Sequence, residues 1–340
     1  MRTFCLTIIA VLLALISVFP AIAGEWPIEI VDGTLYDTDR DRDVPYRAYH
    51  PAGHDGPAPV VIFSHELGGS REGAAYFGQH LAAFGFVALH IQHPGSDDEI
   101  VKDAGPNQAD ISTALTKAIK KPRNALNRFR DVSFVIDAIT EINGTDDNMA
   151  GWFDLDRIGL AGHSFGARAT MIAAGERVGP GLSFSFKEPR LKAALVMSPN
   201  TPDKKVNYAK AYRDIDIPML HITGTEDRGA LPQHRMTEPE MRTVPYANIM
   251  NSDQYLLVLD KADHSTFSGR RLNTADETPD DARHTNVVKS VATKFFEATL
   301  KGDKQAMVWL KSDFQAELSP GDRFEFRLTG AQQRKEARQN

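Results

Sequence analysis

Apolar positions in this chain fall into short blocks that alternate between strand-like and helix-like spacing. Residues 27–36 and 44–49 predict two antiparallel strands joined by a charged turn at 37–43. Pro59-Val60-Val61-Ile62-Phe63 is a continuous apolar run, the pattern of a strand buried on both faces. It ends at His65-Glu66-Leu67-Gly68-Gly69-Ser70, and helical spacing follows to about Phe84. Residues 86–91 predict the next strand, closed by His93-Pro94-Gly95-Ser96-Asp97. Helical spacing returns over 127–142, through Phe129, Val132, Val135 and Ile139, and leads to a short apolar strand before Gly162. Further strand-like runs lie at 191–197, 218–223 and 255–259, and an amphipathic helix at 287–300.

Strands alternating with helices predict an α/β fold with a mostly parallel central sheet of about eight strands flanked by helices. Ligands of such sheets bind at the carboxyl ends of the strands. Three stretches break the alternation, 98–123, 175–190 and 228–253, and read as cap-like insertions in a single domain spanning 24–328. Residues 329–340 read as a polar tail, and no internal repeat is visible.

Composition narrows the picture. The chain of 340 residues is 42% hydrophobic and 25% charged, enough apolar content for a sizeable core. Its 39 basic and 45 acidic residues give a net charge of −6 without a clustered basic stripe, which argues against nucleic acid as a partner. Arg2, an apolar run over 4–19 and Ala21-Ile22-Ala23 predict a signal peptide at 1–23, hence an exported protein, periplasmic or secreted, with no stable membrane span after cleavage. Cys5, the one cysteine, lies in that segment, so the exported protein folds without disulfides. The Asp-rich turn at 37–43 resembles a calcium loop only superficially: Arg42 and Ala48 stand where glycine and glutamate are needed, and a solvated turn is expected. No His, Asp and Glu cluster has zinc-ligand spacing, so neither metal nor cofactor is expected.

The chemistry centres on Gly162-His163-Ser164-Phe165-Gly166, where an apolar strand runs into a helix of small residues. A strand reversing into a helix at one residue forces that residue toward positive φ and pushes its side chain out above the sheet. Ser164 is therefore the candidate nucleophile, and the Phe165 amide, at the helix N-terminus, a candidate oxyanion donor. A serine needs a base, commonly a histidine oriented by a carboxylate. Downstream of Ser164 lie His221, His234, His264 and His284. His221 sits inside an apolar strand and reads as core. His264, just past the last central strand, is the expected base, with His284 as runner-up or helix cap. Asp227, projected from a strand that ends in Gly224, is the expected acid. Glu226 should point the other way, and Asp263 is too near His264 in sequence to fold onto its ring. His163 is expected to pack under the turn.

Together, Asp43-Val44-Pro45-Tyr46, Val61-Ile62-Phe63-Ser64-His65, Leu67-Gly68-Gly69-Ser70-Arg71, His93-Pro94-Gly95-Ser96-Asp97, the elbow and Gly224-Thr225-Glu226-Asp227 resemble the α/β-hydrolase superfamily. Within it they resemble exported bacterial dienelactone-hydrolase-like proteins related to platelet-activating-factor acetylhydrolases. The resemblance covers nearly the whole chain after the signal segment. It implies a Ser-Asp-His triad at Ser164, Asp227 and His264, oxyanion donors at the amides of Leu67 and Phe165, and hydrolysis of small-molecule carboxylic esters through an acyl-enzyme. Two departures stand out. Glu66 replaces the glycine that usually follows the histidine of the oxyanion loop, and is expected on a solvent-facing loop edge. True dienelactone hydrolases use a cysteine nucleophile, so their substrate is not implied. The alternatives are an idle binding protein of the same fold, or a peptidase or polyester hydrolase with the same triad. Oligomeric state is not legible.

Overall fold

The computed structural model describes residues 25–105, 107–146, 148–201, 206–229 and 238–329. The predicted signal segment and nearly all of the predicted polar tail lie outside the described residues. The chain forms two compact units that divide between Leu155 and Asp156. Each is of α/β type.

The first unit carries β1 (Ile28–Asp37), β2 (Arg42–Pro51), β3 (Ala58–Ser64), α1 (Ala75–Ala83), β4 (Val87–Ile91), α2 (Glu99–Lys102), α3 (Gln108–Ile119) and α4 (Pro122–Thr145). Its strands are ordered β1-β2-β4-β3. β1 and β2 form the predicted antiparallel pair, β2 lies antiparallel to β4, and β4 pairs parallel with β3. β3 and β4 are buried along their whole length, as continuous apolar runs require. The charged turn after β1 is tethered rather than merely solvated. Asp37 is buried and accepts the amides of Asp39 and Arg40, while the side chains of Arg40 and Arg42 both reach the Asp131 carboxylate on α4. The polar stretch 98–123 also departs from expectation. It folds as α2 and α3, with Asn107 capping α3 through the Asp110 amide, and only Ser112 and Ala118 of α3 are buried. The apolar residues of α3, Ile111, Ala114, Leu115, Ala118 and Ile119, keep helical spacing, a periodicity obscured by the polar residues around them.

The second unit begins within β5 (Phe153–His163) and continues through α5 (Phe165–Ala174), β6 (Leu191–Met197), α6 (Tyr208–Tyr212), β7 (Met219–Glu226), α7 (Val244–Asn248), β8 (Gln254–Asp263), α8 (Pro279–Leu300), α9 (Lys304–Lys311), α10 (Phe314–Glu317) and β9 (Arg323–Arg327). β5, β6, β7 and β8 are successively parallel, and β9 closes the edge antiparallel to β8. The amphipathic helix expected over 287–300 starts earlier, at Pro279, where the N-cap Thr278 forms a reciprocal capping box with Asp281; α9 and α10 after it were not anticipated. β9 was not anticipated. Most of its residues are exposed, and its aromatic side chains, Phe324 and Phe326, lie against Tyr255 of β8. Among the described residues no helix is long and apolar enough to cross a membrane.

Candidate active site

Ser164 stands between β5 and α5 with φ 54° and ψ −109°, the positive φ that a one-residue reversal demands. Such a conformation costs on the order of 1–3 kcal/mol in a non-glycine residue and persists only when its surroundings enforce it. Here the Ser164 amide donates to the Met197 carbonyl at the end of β6, at 2.9 Å. Gly162 is needed for close packing: a Cβ there would lie 2.5 Å from the Gly166 carbonyl group and 2.7 Å from the Thr170 hydroxyl. Phe165 opens α5, so its amide lies in the first turn of the helix.

The three residues expected to work together converge from the carboxyl ends of β5, β7 and β8. Ser164 Oγ lies 2.8 Å from His264 Nε2, and His264 Nδ1 lies 2.8 Å from Asp227 Oδ1. With Nδ1–H donating to the carboxylate, Nε2 is left to accept the serine proton. Asp227 is fully buried, and its second oxygen accepts the Thr223 hydroxyl at 2.8 Å. Burial alone would push the Asp227 carboxyl up, but the His264 hydrogen bond and the Arg242 charge outweigh it and bring it to about 2. His264 is shifted the other way, below its ordinary value. Burial lowers it, the Asp227 hydrogen bond and charge oppose that, and His163 and Arg242 add to the lowering.

The rejected neighbours have other work. Glu226 is exposed, and Asp263 accepts from Arg271 and from the Thr266 amide instead of turning to the imidazole. His163 is buried and its Nε2 meets the His264 carbonyl at 2.9 Å, so it holds the loop carrying His264. His221 is core, paired with Gln254 at 2.8 Å. His284 lies inside α8 and meets the Asp260 carbonyl. His234 lies outside the described residues.

Two side chains at the site went unrecognised in the sequence. Arg242, on a short 3₁₀ turn at Pro239–Thr243, approaches Asp227 Oδ1 at 3.4 Å and His264 Nδ1 at 3.3 Å. Asn200 accepts from Arg242 at 2.6 Å and donates to the Ser164 carbonyl at 3.4 Å. Asn200 could have been sought, since it follows a central strand. Arg242 carries no such signal, because it sits in one of the stretches that broke the alternation.

In the first unit, Leu67 lies half-buried on the loop after β3. That loop is anchored on both sides of it. The His93 amide donates to His65 Nε2, Arg128 donates to the His65 carbonyl, and the Gly68 amide donates to the Ser96 carbonyl. Glu66 is buried, not solvent-facing. Its carboxylate folds back over Gly69, where a Cβ would stand 2.9 Å from Oε2, so the room it occupies is the room a glycine leaves. The same unit holds a second serine, histidine and aspartate array: Ser64 Oγ to His93 Nε2 at 2.9 Å, and His93 Nδ1 to Asp131 at 2.9 Å. All three are fully buried and Asp131 is shared with Arg40 and Arg42. This array braces the loop. Ser164 and His264, by contrast, keep partial exposure.

A model of the family "Serine hydrolase (FSH1)" matches residues 112–238, a span that includes Ser164 and Asp227 and ends before His264. The chain is 26% identical over 202 residues to the "Putative carboxymethylenebutenolidase" of Escherichia coli (strain K12), covering 55% of this chain and 61% of that protein. It is 24% identical over 216 residues to "Cutinase est1" of Thermobifida alba, covering 64% of this chain and 56% of that protein. The chain thus spans about three fifths of the length of these relatives. With parallel strands flanked by helices, a serine at a strained strand-to-helix turn, and this set of relatives, the chain is similar to serine hydrolases of the α/β-hydrolase superfamily.

Proposed function

We propose that the protein is a serine carboxylic-ester hydrolase acting through an acyl-enzyme. The observation that carries this reading is the unbroken hydrogen-bond chain from Ser164 Oγ through the His264 imidazole to Asp227. Ser164 Oγ attacks the ester carbonyl carbon while its proton passes to His264 Nε2, which then protonates the departing alcohol. A water, deprotonated by the same nitrogen, attacks the acyl carbon and releases Ser164. Asp227 holds Nδ1–H in place and stabilises the imidazolium that forms in each step. The amide of Phe165 receives the oxyanion. The names of the two relatives support an ester substrate.

The substrates are short-chain esters, a preference supported by the largely polar sequence of 98–123. Residues 1–23 direct export, to the periplasm or the medium. The test is labelling by a fluorophosphonate, followed by p-nitrophenyl esters of rising acyl length. Expected are labelling that Ser164→Ala abolishes, and acetyl or butyryl esters hydrolysed faster than long-chain ones. Labelling that survives Ser164→Ala would refute the nucleophile, and faster turnover of long-chain emulsions would refute the acyl preference. The cutinase relative makes an insoluble polyester the natural third substrate to assay.

A further inference from the structure

Arg242 is buried in the second unit, and a buried guanidinium must find acceptors for its donors. Those it finds come from two strand ends. From the loop after β6 it approaches the carbonyls of Ser198 at 3.4 Å and Pro199 at 3.3 Å and the Asn200 amide oxygen at 2.6 Å. From the end of β7 it approaches the Asp227 carbonyl and the Asp227 carboxylate, each at 3.4 Å. The Asn200 amide nitrogen continues the chain to the Ser164 carbonyl. The 3.3 Å approach to His264 Nδ1 is of another kind. Nδ1 already spends its proton on Asp227, so two donors face each other there and the contact is electrostatic.

We propose that Arg242 is a positioning residue for Ser164, His264 and Asp227: it ties the loops after β6 and β7 together and sets a fixed positive charge against the imidazole. It touches neither substrate nor the reacting oxygen. The planar fork is what the task requires, since it spans carbonyls on one side and a carboxylate on the other; a lysine ammonium would supply the charge without the span. The proposal rests on the serine-hydrolase reading.

The groups facing the imidazole bear on its titration. Among the described residues they are Asp227 after β7, His163 at the end of β5 and Arg242 on its 3₁₀ turn, while Asp263 on its own strand is taken by Arg271. Of these, Arg242 is the fixed cation. Its charge opposes the imidazolium, so removing it raises the His264 pKa.

The experiment compares the full chain with Arg242→Gln and Arg242→Lys, following His264 by NMR of histidine-labelled protein, a readout that needs no turnover. In Arg242→Gln the His264 pKa is expected to rise by at least about half a unit, with kcat down roughly ten- to a hundredfold and KM for a p-nitrophenyl ester little changed. Arg242→Lys, which keeps the buried charge, is expected to hold the pKa near the parent value yet still lose at least about tenfold in kcat. An unmoved pKa in Arg242→Gln, or parental kcat in Arg242→Lys, overturns the proposal. If Arg242→Gln does not fold, Arg242→Lys decides alone. Failure of the underlying reading looks different: Ser164→Ala would then retain activity whatever Arg242 does.

Discussion

Replacing Asp227 with asparagine tests whether a buried charge, rather than mere shape, drives the base. The carboxylate accepts from His264 on one oxygen and from Thr223 on the other. Asparagine can keep both contacts, its oxygen toward Nδ1–H and its NH₂ toward the threonine hydroxyl, which can also accept. Geometry then survives and the charge goes. An imidazolium and a carboxylate with centres about 4 Å apart attract by about 4 kcal/mol at an effective dielectric of about 20. Because the imidazolium forms only on the way to the transition state, kcat should fall on the order of a thousandfold. Stability changes too. The Asp227 pKa is lowered from 3.8 to about 2, so the group stabilises the fold above its unfolded pKa and loses that contribution as pH falls toward 2. The linkage is worth about 2 kcal/mol at neutral pH. Arg242 would lose its carboxylate while keeping three other acceptors after β6, which limits the damage. The assay is kcat on p-nitrophenyl acetate beside urea unfolding at pH 7. A kcat within tenfold of the parent would refute the role of the charge. An unfolding free energy equal to the parent's at pH 7, with the parent's loss below pH 4 still present, would refute the linkage.

Further outcomes follow from the same geometry. His264→Ala should cost on the order of 10⁴-fold or more in kcat, because members of such a set act as a unit; a variant near parental rate would move the base elsewhere. The acid limb of kcat/KM should lie below pH 6.5, since the lowered pKa leaves His264 unprotonated, and active, above that value; a limb centred above 6.5 would contradict the burial and charge balance. Burial brings His90 to about 3, and His93 and His221 to about 4, so each folded histidine stays neutral where the unfolded one takes up a proton. Stability is therefore whole above pH 6.5 and should fall toward pH 4 by up to about 1.4 kcal/mol per pH unit for each; equal urea midpoints at pH 7 and 5.5 would contradict this. Gly162→Ala should destabilise by about 1–3 kcal/mol or more and disable the elbow, the new methyl meeting backbone that cannot move aside. Parental activity in a folded variant would show that the elbow can yield.

What the sequence made legible was whatever periodicity or a forced turn encodes. β3, β4, β6 and the elbow strand are apolar blocks bounded by glycine and polar residues, and each appears where its pattern lies. Ser164, Asp227 and His264 were legible because each follows such a block. β9 was not: an edge strand of mostly exposed residues buries too little to leave a pattern, and takes its place by pairing with β8. α3 was lost for a different reason: Ile111, Ala114, Leu115, Ala118 and Ile119 do keep helical spacing, but polar residues on every side of them hid it. Glu66 misled because a carboxylate in a loop is ordinarily solvated, whereas here Gly69 leaves the space that receives it. Arg242 was the costliest omission, because its role is set by tertiary placement alone.

The charge order around His264 explains why such an arginine is tolerable near a base that must become positive. Asp227 and Arg242 flank the same imidazole nitrogen, at 2.8 Å and 3.3 Å. A lone carboxylate in a buried site would raise the histidine pKa and leave the ring protonated, unable to accept from serine, over much of the range below neutrality. A lone arginine would keep the ring neutral but oppose the transition state. Placed together, the anion holds the shorter, directional hydrogen bond and the cation the longer, non-bonding approach. The anion's advantage grows as positive charge develops on the ring and shortens that bond, while the guanidinium stays pinned to the carbonyls after β6. The base is thus kept neutral at rest and supported when charged, a balance that depends on Arg242 being unable to follow the imidazole.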